Sequence, residues 1–216
     1  MKTQIQYLVR APKIIKEKNP LLLLLHGYGS NEEDLFAFAS ELPENYYVVS
    51  ARAPYDLQPY GYAWYAINFD ADQNKFTNNE QAIESRDLIT KFLNQLESEL
   101  PIDYQDVTLI GFSQGSILSY AVALTYPEKI KNVIALSGYL HPEIIPQNLD
   151  GRNFSHLKMF VSHGSQDQVI PVEWARQAPD FLQKLGVDVT YKEYPIGHGV
   201  SPQNFRDLLN WLNANN

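Results

Sequence analysis

Cysteine is absent from the 216 residues, and with it go disulfide frameworks, thiol nucleophiles and every zinc or iron–sulfur site built on Cys. Positive charge is scarce: 17 Lys and Arg stand against 25 Asp and Glu, a formal charge of −8. Such a surface draws in neither a phosphate backbone nor an anionic membrane, so nucleic acid is not an expected partner. Long apolar runs are missing as well. The longest purely aliphatic one, Leu21 to Leu25, falls far short of the ~20 residues that span a bilayer, and no stable membrane insertion is expected. The opening stretch Met1 to Gln6 has no apolar signal region, which makes the cytoplasm the expected compartment. There is no internal repeat and no linker. Against these absences stands ample core material, 44% hydrophobic to 19% charged residues, the balance of a globular chain. At roughly 150 residues per domain, 1–216 is read as one domain.

Short apolar runs alternate with longer amphipathic stretches, the order of strands and crossover helices in an α/β fold with a mainly parallel sheet and helices on both faces. Strands are expected around Gln4–Arg10, Leu21–Leu25, Tyr46–Ala51, Val107–Ile110, Asn132–Leu136, Leu157–Val161 and Val187–Tyr191. Several are apolar throughout, as buried central strands should be. Ser30 and Glu33 form an S-x-x-E capping box, and Ser201-Pro202 supplies an N-cap with Pro at the first helical position. Between Asn79 and Leu100 the residues Ala82, Ile83, Ile89, Phe92, Leu93, Leu96 and Leu100 fall on one helix face, which marks them as core. Arg52–Asn78 and Ser137–His156 look irregular, and such loops at the carboxyl ends of strands are where α/β sites are built. At about 20 residues the second is too short for a separate lid domain, so an open site is expected.

The sharpest local signal is Gly111-Phe112-Ser113-Gln114-Gly115, a G-x-S-x-G with an apolar strand before it and a stretch free of Gly and Pro after it. Strand, sharp turn and helix are what a nucleophile elbow requires. The serine there is strained, and the chain comes so close that side chains two positions to either side would clash, hence the two glycines. A serine hydroxyl needs a base to take its proton and a carboxylate to hold that base in one tautomer. In this fold class the chain order is Ser, acid, His, which excludes His26 and leaves His141, His156, His163 and His198. Asp167, in a turn beyond the strand ending near Val161, is preferred as the acid. Its rivals are Asp150 in the irregular loop, Asp180 within a helix and Asp188 at a strand start. Only His198 follows Asp167, on a loop between a strand and the Ser201-Pro202 helix. Oxyanion donors are expected from the backbone N–H of Gln114, at a helix N-terminus, and of Tyr28, in the loop after Leu21–Leu25.

Other motifs carry less. Gly27-Tyr28-Gly29 begins a dinucleotide fingerprint but Glu32 occupies the third glycine position, and Ser50-Ala51-Arg52 lacks the ribose-binding acid. Asp70, Asp72 and Asn74 mimic a calcium loop, yet Lys75 and Gln81 stand where Gly and Glu are required. Asn153-Phe154-Ser155 is a glycosylation sequon without consequence unless the chain is secreted. His26 and His163, each before a Gly at a strand end, are read as structural, with no metal site expected; His141 and His156 are read as ordinary loop residues. Trp174 is expected to pack within a helix. The cluster Tyr55, Tyr60, Tyr62, Trp64 and Tyr65 either anchors its loop or walls a pocket for an acyl or aryl group.

With these residues in view, the chain resembles the phospholipase/carboxylesterase family of α/β-hydrolases, which includes acyl-protein thioesterases and small bacterial carboxylesterases. The likeness runs from about Leu21 to Leu212 through Leu25-His26-Gly27-Tyr28-Gly29, the serine pentapeptide, Ala135 to Leu140, His163-Gly164, Asp167 to Pro171, and Gly197-His198 with Val200-Ser201-Pro202. It implies an α/β-hydrolase fold, a Ser113, Asp167 and His198 triad, Tyr28 and Gln114 as oxyanion donors, and no cofactor. It also implies an acyl groove near Tyr139 and Val169, with Trp64 on an adjacent loop. Gly199 departs from the acidic residue that bacterial relatives often carry after the histidine. The expectation is a serine hydrolase acting on a small-molecule carboxylic ester of short or medium chain, its oligomeric state open. A long-chain thioesterase or lysophospholipase, a catalytically silent binding module, and last a dinucleotide oxidoreductase are the alternatives.

Overall fold

The computed structural model describes residues 5–69 and 75–215. In chain order the elements are β1 (Tyr7–Arg10), β2 (Asn19–Leu25), α1 (Glu33–Phe36), β3 (Tyr47–Ala51), the short strands β4 (Tyr55–Asp56), β5 (Tyr62–Ala63), β6 (Ile67–Phe69) and β7 (Lys75–Thr77), then α2 (Asn79–Glu99), β8 (Ile102–Phe112), α3 (Gln114–Thr125), β9 (Asn132–Leu136), β10 (Lys158–Gly164), α4 (Val172–Ala175), α5 (Gln177–Lys184), β11 (Asp188–Tyr194) and α6 (Pro202–Ala214). Seven strands form the central sheet in the order β1-β3-β2-β8-β9-β10-β11. All neighbours pair in parallel except β1, which runs antiparallel to β3.

The unbroken leucines of β2 follow from burial on both sides. Leu21, Leu23 and Leu25 point into the layer shared with α2 and α3, whereas Leu22 and Leu24 point into the one shared with α1 and α6 through Leu35, Leu208 and Leu212. A strand that alternates between two apolar layers has no polar face to spare. Helix α2 begins where Asn78 accepts a hydrogen bond from the Gln81 N–H (3.1 Å) and buries Ala82, Ile89, Phe92, Leu93 and Leu96, while Ile83 and Leu100 pack partly buried against the same core. At α6, Ser201 accepts from the Asn204 N–H (3.1 Å) and Pro202 opens the helix.

Three details differ from the sequence reading. The Ser30–Glu33 capping box does not form: Ser30 pairs as backbone with Tyr62 and its hydroxyl donates to Asp34 (2.8 Å), while Asn31 Oδ1 accepts from the Glu33 N–H (2.8 Å). Strand pairing holds Ser30 out of the capping position, and α1 is a single turn. Second, the stretch 52–78 is not irregular throughout, since β4 pairs with β5 and β6 with β7 in two small antiparallel ribbons. Third, β1 starts at Tyr7, later than expected, and β8 reaches well beyond Val107–Ile110 at both ends. Asp70, Asp72 and Asn74 lie outside the described residues.

The topology places the site. From β2 the chain moves outward to β3, and it later returns to lay β8 on the other side of β2. Strand order therefore reverses between β2 and β8, whose carboxyl ends lie level at Leu25 and Gly111. A reversal of this kind leaves a crevice at the carboxyl edge of the sheet.

Candidate active site

Ser113 sits at that crevice, between the end of β8 and the first residue of α3. Its backbone takes φ 54° and ψ −115°, a left-handed conformation that costs a non-glycine residue on the order of 1–3 kcal/mol. The surrounding chain holds it there. The Ser113 N–H donates to the Leu136 carbonyl (2.9 Å), and its own carbonyl receives the Ile117 N–H (3.0 Å). A Cβ on Gly111 would run into the Gly115 carbonyl, and one on Gly115 into the carbonyls of Leu25 and His26. Both glycines are thus required by close backbone approach, and the second presses the serine turn against the loop that follows β2.

Asp167 and His198 come from the loops after β10 and β11. These strands pair along Lys158↔Asp188 to Gly164↔Tyr194, and the loops stay joined beyond them by a Gln166 N–H bond to the Ile196 carbonyl (3.0 Å). His198 Nδ1 lies 2.7 Å from Asp167 Oδ2. A carboxylate can only accept, so Nδ1 carries the proton and Nε2 is left as the basic nitrogen. The other Asp167 oxygen accepts from the Val169 N–H (2.8 Å) and the Ile170 N–H (2.9 Å). Burial by itself raises the Asp167 pKa, but the bonds from Ile170, His198 and Val169 outweigh it and hold the carboxyl below its ordinary value. His163, fully buried, sets Nε2 2.8 Å from the Ile170 carbonyl and 3.2 Å from Asp167 Oδ2. It braces the acid's loop from beneath. The His198 ring packs against Phe112, the residue before Ser113, at 4.9 Å between centroids. Asp150, Asp180 and Asp188 make no such bond to a histidine among the described contacts.

Sequence reasoning missed Ser137. Among the described residues it is the other non-glycine residue with positive φ (51°); its N–H donates to the Ser162 carbonyl (2.9 Å) and its hydroxyl to the Gly199 carbonyl (3.3 Å). It thereby ties the end of β9 to the His198 loop, a role that no local pattern around Ser137-Gly138 announces.

Around the crevice the aromatic residues sort by burial. Trp64 and Tyr65 are fully buried. Tyr60 is exposed and Tyr62 half-buried. Trp174 is not the packed helix residue expected. It is 48% exposed and meets Tyr139 edge-on at 5.0 Å; Val169 is exposed as well. The helix bearing it is one turn long and follows directly from the Asp167 loop, so its outer face is rim rather than core. Tyr28 is half-exposed and Gln114 buried. His141 and His156 bond Asn79 Oδ1 (2.9 Å) and the Pro127 carbonyl (2.8 Å). Among the described residues no cluster of three or more His, Asp or Glu is placed to hold a metal ion.

Comparison with known proteins bears on this arrangement. The family described as Phospholipase/Carboxylesterase matches residues 9–216. Acyl-protein thioesterase 1 of Emericella nidulans is 26% identical, the match covering 94% of each chain. A carboxylesterase of Bacillus cereus superposes with a TM-score of 0.84 at 19% identity, covering 100% of this chain and 96% of that one. Esterase PE8 does so with a TM-score of 0.81 at 24% identity, over 98% and 99% of the two chains. At these identities the two structures speak for the fold.

Proposed function

The chain belongs to the phospholipase/carboxylesterase family of α/β-hydrolases, enzymes that hydrolyse carboxylic esters or thioesters, and on that premise we propose that it is a serine carboxylesterase acting through an acyl-enzyme with Ser113, His198 and Asp167 as its triad. The observation that carries this reading is the 2.7 Å bond between His198 and Asp167 at the carboxyl edge where Ser113 stands on its strained turn. The substrate is a small-molecule ester with a short or medium acyl chain, handled by the chain as a single domain.

Ser113 Oγ adds to the acyl carbon as its proton passes to His198 Nε2. Asp167 stabilises the imidazolium through Nδ1. The carbonyl oxygen, now an anion, receives the N–H groups of Gln114 and Tyr28. Collapse expels the alcohol, which takes the proton from His198 and leaves the acyl group on Ser113. Water then adds with His198 again as base, and the free acid departs. No step asks for a cofactor.

A second reading, hydrolysis of long-chain thioesters, is favoured as to the thioester by the Emericella relative's name and as to chain length by the exposed Trp174 against Tyr139, which would lengthen an open groove. Rates on p-nitrophenyl esters from acetate to palmitate, with Ser113→Ala as the blank, separate the two. The carboxylesterase reading expects a maximum at short or medium chains and loss of at least about 10³-fold in the variant. A maximum at palmitate would transfer the assignment to long-chain substrates, and equal rates in both proteins would end the serine-hydrolase reading.

A further inference from the structure

The two N–H groups proposed to hold the oxyanion lie on loops far apart in sequence, Tyr28 after β2 and Gln114 after β8. An oxyanion hole works only if its donors are set at a fixed spacing before the charge develops. The segment Tyr62–Tyr65 touches both loops. At one end the Gly29 N–H donates to the Tyr62 carbonyl (2.9 Å) and the Tyr62 N–H to the Ser30 carbonyl (2.8 Å), which fastens the Tyr28 loop to β5. At the other end the Gln114 side chain, 2% exposed, grips the next two residues: Oε1 accepts the Trp64 N–H (3.1 Å) and Nε2 donates to the Tyr65 carbonyl (2.8 Å). Between these ends the Trp64 indole N–H donates to the His26 carbonyl (2.9 Å), and the Ser85 hydroxyl of α2 donates to the Trp64 carbonyl.

We propose that the Gln114 side chain and Trp64 are positioning residues: through the Tyr62–Tyr65 segment they fix the spacing between the Tyr28 and Gln114 N–H groups. The inference rests on the oxyanion assignment above and adds a second duty for Gln114, whose backbone donates to the substrate while its side chain holds the opposing loop. Glutamine suits the position because a single planar amide offers one acceptor to a buried N–H and one donor to the next carbonyl. Glutamate of the same shape would set a carboxylate oxygen against the Tyr65 carbonyl.

The test compares wild type with Gln114→Met, which keeps length and the backbone N–H but removes both side-chain bonds, and with Trp64→Phe, which keeps a buried ring but not its N–H. Each is assayed for kcat and KM on the best p-nitrophenyl ester and for inhibition by a trifluoromethyl ketone, whose adduct with a serine carries an oxyanion. The positioning role predicts a fall in kcat of about 10- to 100-fold for Gln114→Met, a smaller fall for Trp64→Phe, and KM within about twofold in both. Ketone affinity should fall in step with kcat, and the double variant should lose less than the product of the single losses. A folded Gln114→Met or Trp64→Phe with wild-type kcat and ketone affinity overturns the proposal, as does a loss carried by KM alone. Should Gln114→Met fail to fold, Trp64→Phe decides by the same criteria. Ser113→Ala keeps the two questions apart: if it retains wild-type hydrolysis the functional reading fails, whereas if it is inactive and the positioning variants keep wild-type kcat, only this inference does.

Discussion

Individual side chains here are tuned by what surrounds them, and two acid–base groups show how. Asp167 is desolvated, yet three hydrogen bonds keep it ionised below its ordinary range, so it remains an acceptor for His198 as the solution grows acidic. His26 shows the opposite balance. Burial lowers its pKa from 6.5, and its neutral form is specified on both nitrogens: Nδ1 donates to the Gly27 carbonyl (2.7 Å) and Nε2 accepts the Ala53 N–H (3.0 Å). The unfolded chain therefore binds a proton at His26 more readily than the folded one. Its stabilising contribution is present above pH 6.5 and is lost as pH falls through the lowered folded-state value, with a slope of up to about 1.4 kcal/mol per pH unit. His26→Gln should be less stable than wild type at pH 7.5, with the gap narrowing below pH 6.5. Melting curves from pH 5 to 8 check this, and a gap constant across the range would contradict it.

At the scale of elements, the serine turn depends on backbone contact more than on side-chain packing. Gly115 lies against the carbonyls of Leu25 and His26, so Gly115→Ala must push α3 away from β2 and draw the Gln114 N–H from the Tyr28 loop. The expected result is a protein destabilised by about 3 kcal/mol or more and slower in turnover by at least about 100-fold. Urea unfolding together with kcat measures both; a variant with wild-type stability and rate would refute the close-contact account. This turn was legible in the sequence because strand, G-x-S-x-G and helix are contiguous. So were α2, from its apolar period, and α6, from Ser201-Pro202. The Ser30–Glu33 box misled because strand pairing with Tyr62, far outside any local pattern, claimed the backbone of Ser30. Trp174 misled for a related reason. Whether a one-turn helix presents its tryptophan to core or rim is decided by how the Asp167 loop delivers it, and composition is blind to that.

Across the whole molecule, a sheet whose order reverses between β2 and β8 brings the loops after β2, β8, β10 and β11 to one edge. Chain order and strand ends point Ser113, Asp167 and His198 to that edge, since each follows a strand candidate. The supporting contacts were not readable in advance. Ser137 reaching the His198 loop, and the Gln114 side chain reaching Trp64 and Tyr65, join residues about fifty or more positions apart, and such bonds exist only once the sheet has assembled. Among the described residues no helix is long and apolar enough to cross a membrane. The central claim is that Ser113 is a nucleophile activated by the folded site. Its most direct test is intact-mass measurement after exposure to a serine-directed fluorophosphonate, with wild type and Ser113→Ala side by side. A single adduct, mapped to Ser113 and absent from the variant, is the predicted result; an unlabelled wild type, or equal labelling of the two, would contradict the account.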